Sequence, residues 1–382
     1  MTTSRSIGSI RARFLPLVLA FAFAAVLAAP WAGLRADQAA ATRVAALPDR
    51  LSNAEFWKLE SDISEPGGYF RITDNYTSNE PEIGRLFTRL RESKVSGGVY
   101  LGVGPEQNLT YIAAIRPRMA FIIDIRRQAI MQHLMFKAIF ELATDRADFI
   151  SLLFARARPA GLDRATPIDK IWDAYLPLAV DSRMAGATYT RILQHLTRTH
   201  GFTLTDDETA QLEEVYQAFA GFGPRISTRG SGGGGGGRNV TFADLTGYTY
   251  DTAGAPQSFL VTDENFPYVK ALHDKNLIVP VSGDFGGPKA IRAIGAYLQQ
   301  HDATVSAFYV SNVEQYLFQD GKDRTFYDNV ATLPMNASTV FIRPYSMRRI
   351  GPGDALCPMA PFITAVAAGR VRTNNDALAC GQ

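Results

Sequence analysis

Gly98-Val99-Tyr100-Leu101-Gly102-Val103-Gly104, then Pro105-Glu106-Gln107-Asn108, then Met119-Ala120-Phe121-Ile122-Ile123-Asp124, is the stretch on which the fold of this 382-residue chain turns. The first run is a short apolar strand that breaks into glycines. Pro105 opens a helix with Glu106 near the positive end of its dipole, and this helix reaches Ile115 and stops before Pro117. Met119 to Asp124 reads as a second strand, apolar without alternation, as expected when both faces are covered. Beyond it, Ile130, Leu134, Phe136, Ala138, Ile139 and Leu142 recur close to helical spacing. Strand, glycine turn, helix and strand within about 30 residues make a right-handed βαβ unit.

The same alternation returns later in the chain. A helix over 264–275 leads into a strand over 277–281 that ends in Ser282-Gly283-Asp284, and Pro288 starts a helix with Ile291, Ile294 and Leu298 on one face. A strand over 304–310 turns at Ser311-Asn312 into a short amphipathic stretch, and 339–343 reads as one more strand before Pro344. Between the two blocks the pattern is helical. Thr205 with Glu208 forms a capping box, and Leu212, Val215, Tyr216 and Phe219 fall at i, i+3, i+4 and i+7. That segment also holds Gly230-Ser231 and six further glycines, 232–237, a flexible tether that lacks the Gly-Lys-Ser/Thr of a phosphate loop. The body is therefore expected to be a doubly wound, mostly parallel α/β sheet with a helical insertion. The expected organisation is a leader at 1–36, a linker at 37–50, the first part of the α/β domain at 51–158 and the insertion at 159–250. The second part follows at 251–345 and a C-terminal tail at 346–382.

Composition agrees with a large core, since 46% of the residues are hydrophobic and 20% are charged. Arg5, Arg11 and Arg13 precede an apolar run over 14–29 and the tripeptide Leu34-Arg35-Ala36, the order of a secretory signal peptide. Left uncut, the run would serve as an inner-membrane anchor, the chain's only expected membrane contact; in both cases the body is exported to a bacterial periplasm. The leader holds four arginines and no acidic residue, so from Asp37 onward 35 basic residues face 37 acidic ones, a formal charge of −2. No basic excess remains for nucleic acid. Cys357 and Cys380 are the only cysteines, and a disulfide between them would fasten the tail in an oxidising compartment.

In doubly wound sheets, ligands bind outside the carboxyl ends of the strands. That rule brings together Gly102 and Gly104, Asp124, Asp284, and Ser311 with Asn312, polar or glycine residues at four strand ends. A small polar ligand is the expected occupant. An irregular stretch over 67–80, rich in Gly, Asn and Asp with interleaved aromatics, is an ordered loop whose Asn79 and Glu80 join the substrate-facing set with Ser311.

Gly102-Val103-Gly104, with a strand ending in Asp124 20 residues later, resembles the nucleotide-binding half of Rossmann-like proteins, and most of all class I S-adenosylmethionine-dependent methyltransferases. The wording of the two α/β blocks, over roughly 52–345, also resembles an uncharacterised bacterial protein family of that fold. The methyltransferase resemblance implies that Gly102, Gly104 and the helix start Glu106-Gln107-Asn108 lie against the cofactor and that Asp124 binds its ribose hydroxyls. It further implies that Asp284, with Asn312, sits at the transfer centre. Where that family has an acidic residue and a third glycine, this chain has Tyr100 and Glu106. An exported protein also meets no established pool of S-adenosylmethionine. Two readings stay open: a transferase, and a non-catalytic envelope protein with a degenerate cofactor site. Glu106 separates them, by filling the cofactor volume or by turning away from it.

No metal site is expected, because His133, His195, His200, His273 and His301 show no HExxH or other ligand spacing. No GxSxG elbow is present. Asp284, Glu106 and Glu80 are the carboxylates available for acid–base work on a saccharide or ester.

Overall fold

The computed structural model describes residues 46–72, 75–80, 83–228, 240–344 and 355–381. The expected leader, most of the linker and the glycine tract lie outside these residues. Among the described residues, no helix is long and apolar enough to cross a membrane.

Six strands form one sheet: β1 (Val99–Val103), β2 (Met119–Asp124), β3 (Ile278–Ser282), β4 (Val305–Tyr309), β5 (Val340–Ile342) and β6 (Leu356–Pro358), in the order β3-β2-β1-β4-β5-β6. The first five are parallel and β6 runs antiparallel to β5. Every residue of β1, β2 and β3 is buried, so their unbroken apolar runs reflect cover on both faces. Pro280 is tolerated in β3 because, among the described residues, this strand has a neighbour on one side only.

In chain order the helices are α1 (Asn53–Ile63), α2 (Gly84–Ser93), α3 (Gln107–Ile115), α4 (Arg127–Leu142), α5 (Arg146–Phe154), α6 (Ile168–Tyr175), α7 (Ser182–Gln194), α8 (Asp206–Phe222), α9 (Phe242–Gly247), α10 (Asn265–Asp274), α11 (Ala290–Gln300), α12 (Val313–Gln319), α13 (Asp323–Val330), α14 (Met359–Ala367) and α15 (Asn374–Leu378). Their contacts fall into two sets. On one side α4 packs on α5, α8 and α10, and α10 packs on α3; on the other α1 meets α11, α11 meets α13, and α13 meets α14.

The helical segment between the two α/β blocks does not form a core of its own. Phe219 of α8 packs against Phe136 of α4, Phe154 of α5 and Phe242 of α9, within the same hydrophobic cluster as the sheet. The C-terminal segment carries the disulfide expected to fasten it and also adds to the sheet. Leu356–Pro358 adds the sixth strand, and the Cys357–Cys380 disulfide, with Cα atoms 5.6 Å apart, ties β6 to the end of α15. Arg343, just after β5, makes two 2.7 Å hydrogen bonds to Glu314 of α12 and lies over the rings of Phe341 and Phe362.

Candidate functional site

The strand order reverses between β1 and β4, and a cavity of about 220 Å³ lies at that point. Residues that follow four strands line it: Gly104 and Pro105 after β1, Asp124 and Arg126 at β2, Asp284 and Phe285 after β3, Ser311 and Asn312 after β4. The described parts of the 67–80 stretch, 67–72 and 75–80, supply Phe70, Asn75 and Asn79, among others. Phe70 packs edge-on against Tyr316 of α12 at 4.9 Å, Arg71 stacks over the same ring at 4.5 Å, and the Arg71 guanidinium donates to Gln319.

Two acidic residues of the wall are paired within the protein. The Arg126 backbone N–H and Nε donate to Asp124 Oδ1 at 2.9 and 3.1 Å, and its Nη2 donates to Oδ2 at 3.0 Å. A carboxylate offers about four acceptor sites, so Asp124 keeps roughly one, on Oδ2, for a ligand hydroxyl. Lys322 donates to Asp284 Oδ2 at 2.6 Å, and the Gly286 N–H donates to Oδ1 at 2.9 Å. The hydrogen bond to Asp284 raises the Lys322 ammonium above its usual range. With these two charges matched internally, the amides and hydroxyls of the wall and the exposed Asp320 carboxylate remain to meet a ligand.

Beneath the glycine turn lies a buried polar cluster. Asn108 Nδ2 sits 2.7 to 3.1 Å from the carbonyls of Val103, Gly104 and Pro105, while Asn108 Oδ1 accepts from the Tyr100 hydroxyl. A Cβ on residue 102 would overlap the Asn108 amide oxygen. Packing inside the protein is thus enough to require glycine at 102. Gly104 has φ of 76° and open space where a Cβ would stand, so it alone of the two faces the cavity. His133 donates from Nε2 to the Gly104 carbonyl at 2.8 Å, and burial lowers its pKa to about 4.

Glu106 neither fills the cavity nor turns to solvent. Its side chain is buried under the 75–80 loop, where both carboxyl oxygens accept from the Ser78 N–H at 3.1 and 3.2 Å. Burial pushes its pKa up to about 8; the Ser78 N–H pulls it down and the nearby Glu80 pushes it further up. Glu80 accepts from the Tyr309 hydroxyl at 2.8 Å and from Ser311 Oγ at 2.7 Å. Burial, followed by Glu80, holds the Tyr309 hydroxyl well above its ordinary pKa. Ser311 has φ of 47°, a left-handed backbone outside glycine, at the turn between β4 and α12.

Of the residues singled out from the sequence, Asn79, Gly104, Asp124, Asp284, Ser311 and Asn312 meet at the cavity. Gly102, Glu80, Glu106, Gln107 and Asn108 stand behind its wall. Sequence reasoning missed Arg126, Tyr316 and Lys322. Arg126 was within reach, as a basic residue two positions after a strand-end Asp, whereas Tyr316 and Lys322 come from helical segments whose approach no local pattern announces.

A family model matches residues 76–163 and 246–357, just over half of the chain. The chain belongs to that family, a domain of unknown function (DUF7790). The matched DUF7790 segments contain β1 to β5 and every cavity residue that follows a strand, and they leave out 164–245, most of the helical segment. No curated protein matches the sequence.

Proposed function

We propose that this DUF7790 chain is an exported Rossmann-like protein of methyltransferase-like fold that binds a small polar, polyhydroxylated ligand of monosaccharide or nucleoside size. The observation that carries the reading is the convergence of four strand ends on one cavity at the reversal of strand order. The order 3-2-1-4-5 of the parallel strands is that of doubly wound dinucleotide folds, and the disulfide suits an oxidising compartment. Size argues against a complete adenosyl cofactor: about 220 Å³ falls below the roughly 300–1,000 Å³ usual for drug-sized ligands. In this reading Asp124 and Asn79 bind ligand hydroxyls, Asn312 orients the ligand, and the aromatic rings of Phe70 and Tyr316 cover it.

Ser311 favours a second reading, a transferase. A strained backbone at a site is a pointer to function, and here it presents a hydroxyl bonded to a carboxylate, a proton acceptor for a reacting hydroxyl. Calorimetric titration of the full chain with monosaccharides, nucleosides and S-adenosylmethionine tests both readings. Binding of one of the smaller ligands is expected, about tenfold weaker in Asn312→Ala, with no binding of the complete cofactor. Failure of all ligands, or unchanged affinity in the variant, would overturn the assignment. If Ser311→Ala keeps the affinity and loses turnover, the transferase reading stands.

A further inference from the structure

Away from the cavity, Glu141 at the end of α4 faces two histidines from the segment that the family model leaves unmatched. His195 Nε2 lies 2.6 Å and His200 Nε2 2.5 Å from the same oxygen, Oε2, of Glu141, and the three donor atoms lie within 4.8 Å of one another. The other oxygen is taken: Lys137 donates to Oε1 at 2.6 Å and to the His273 carbonyl at 2.7 Å. The carboxylate is thereby fixed with one oxygen turned toward both imidazoles.

Backbone geometry brings the histidines together. In an α-helix, residues five apart point about 140° away from each other. Here α7 ends in a π-helical turn over His195–Thr199, closed by the His200 N–H donating to the His195 carbonyl at 3.0 Å, so that both rings face Glu141. Such turns are rare and are frequent at functional sites. His200 stacks on Phe202, which stacks in turn on Phe56 and Trp57, so its ring is positioned by packing. Among the described residues its Nδ1, in a side chain only 8% exposed, has no hydrogen-bond partner. His195, at 18% exposed, leaves a route from solvent.

We propose that Glu141, His195 and His200 form a binding site for one divalent transition-metal ion of the zinc class. Two imidazole nitrogens and one carboxylate oxygen are a donor set that zinc accepts, with a fourth position left for water. Lys137 acts from behind as the group that orients the carboxylate. The ion would clip the end of α7 to α4, fastening the unmatched helical segment to the sheet domain.

The test uses the full chain stripped of metal and titrated with Zn²⁺ alone. One equivalent should bind, with affinity at least tenfold weaker in His195→Ala and in His200→Ala, and the thermal midpoint of the wild type should rise with Zn²⁺ and fall back with chelator. Absence of stoichiometric binding, or binding undiminished in both variants, would overturn the site. Should the variants fail to fold, anomalous diffraction at the zinc edge from wild-type crystals decides. A peak between the three side chains supports the site, and a peak elsewhere or none refutes it.

Discussion

Glu106, under the glycine turn after β1, and Glu314, on α12 beside β5, are both 2% exposed or less, yet the protein accommodates them in opposite ways. Glu314 receives the Arg343 guanidinium through two hydrogen bonds and the Tyr327 hydroxyl through a third. Glu106 is held by the Ser78 backbone N–H, with the acidic Glu80 as a neighbour, and burial raises its pKa, which favours the protonated form where Arg343 favours the charged one. A buried charge must be matched or removed. Matching builds a fixed node that holds β5 and α12 together. Removal by a proton builds a region whose charge follows pH, and it stands directly behind the wall of the cavity.

The contrast can be broken most forcefully at Arg343. Arg343→Met leaves Glu314 buried without its counter-ion and is expected to lower stability by about 3–5 kcal/mol, read from the urea midpoint at pH 7. Adding Glu314→Leu should return most of that loss, because an apolar pair of similar volume is often neutral. If the double variant is as unstable as the single one, the site depends on packing around the arginine and not on the charge pair.

A smaller effect is expected from the disulfide, which anchors β6 next to β5 and Arg343. Opening the loop between Cys357 and Cys380, 23 residues apart in sequence, should cost about 2–4 kcal/mol. Hydrogen exchange should show the loss concentrated in β5, β6 and α14, with β1 and α3 still protected. Equal loss of protection around Glu106 would show that the two regions are not independent.

The finest test is pH. Unfolded, the Glu106 carboxyl titrates near its ordinary value of 4.5, and folded it titrates near 8. Between those values the native state keeps a proton that the unfolded chain has released. Its contribution to stability is therefore complete below about pH 4.5, declines by at most about 1.4 kcal/mol per pH unit, and is gone above about pH 8. Glu106→Gln should abolish this decline, so the variant should gain on the wild type as pH rises from 5 to 8.5. His133 acts with the opposite sign, losing stability as pH falls from 6.5 toward 4, and it cancels in the difference between the two proteins. A difference that does not change with pH would mean that Glu106 is ionised in the fold.

Much of the architecture is legible along the chain. The unbroken apolar runs of β1 and β2 and the strand-end residues Asp124, Asp284 and Ser311 can be placed from local pattern, because strands covered on both faces need no polar residue and stop where one appears. Strand β6 cannot. It is three residues long and ends in Pro358, and it becomes a strand only because β5 offers a partner. The roles of the glycines also needed the fold: Gly102 and Gly104 look alike in sequence, and the Asn108 side chain distinguishes them.

The α/β class, the glycine turn and the polar ends of four strands can thus be read along the chain, since they follow from backbone propensity and from which residues tolerate burial. How the charges are matched is a property of the folded chain. Arg126 folds back on Asp124, Glu106 goes inward where burial raises its pKa, Arg343 finds Glu314 across 29 residues, and a π-helical turn swings His195 and His200 onto Glu141, more than 50 residues away. Electrostatic partners are set by distance in space. No periodicity of the chain encodes that distance.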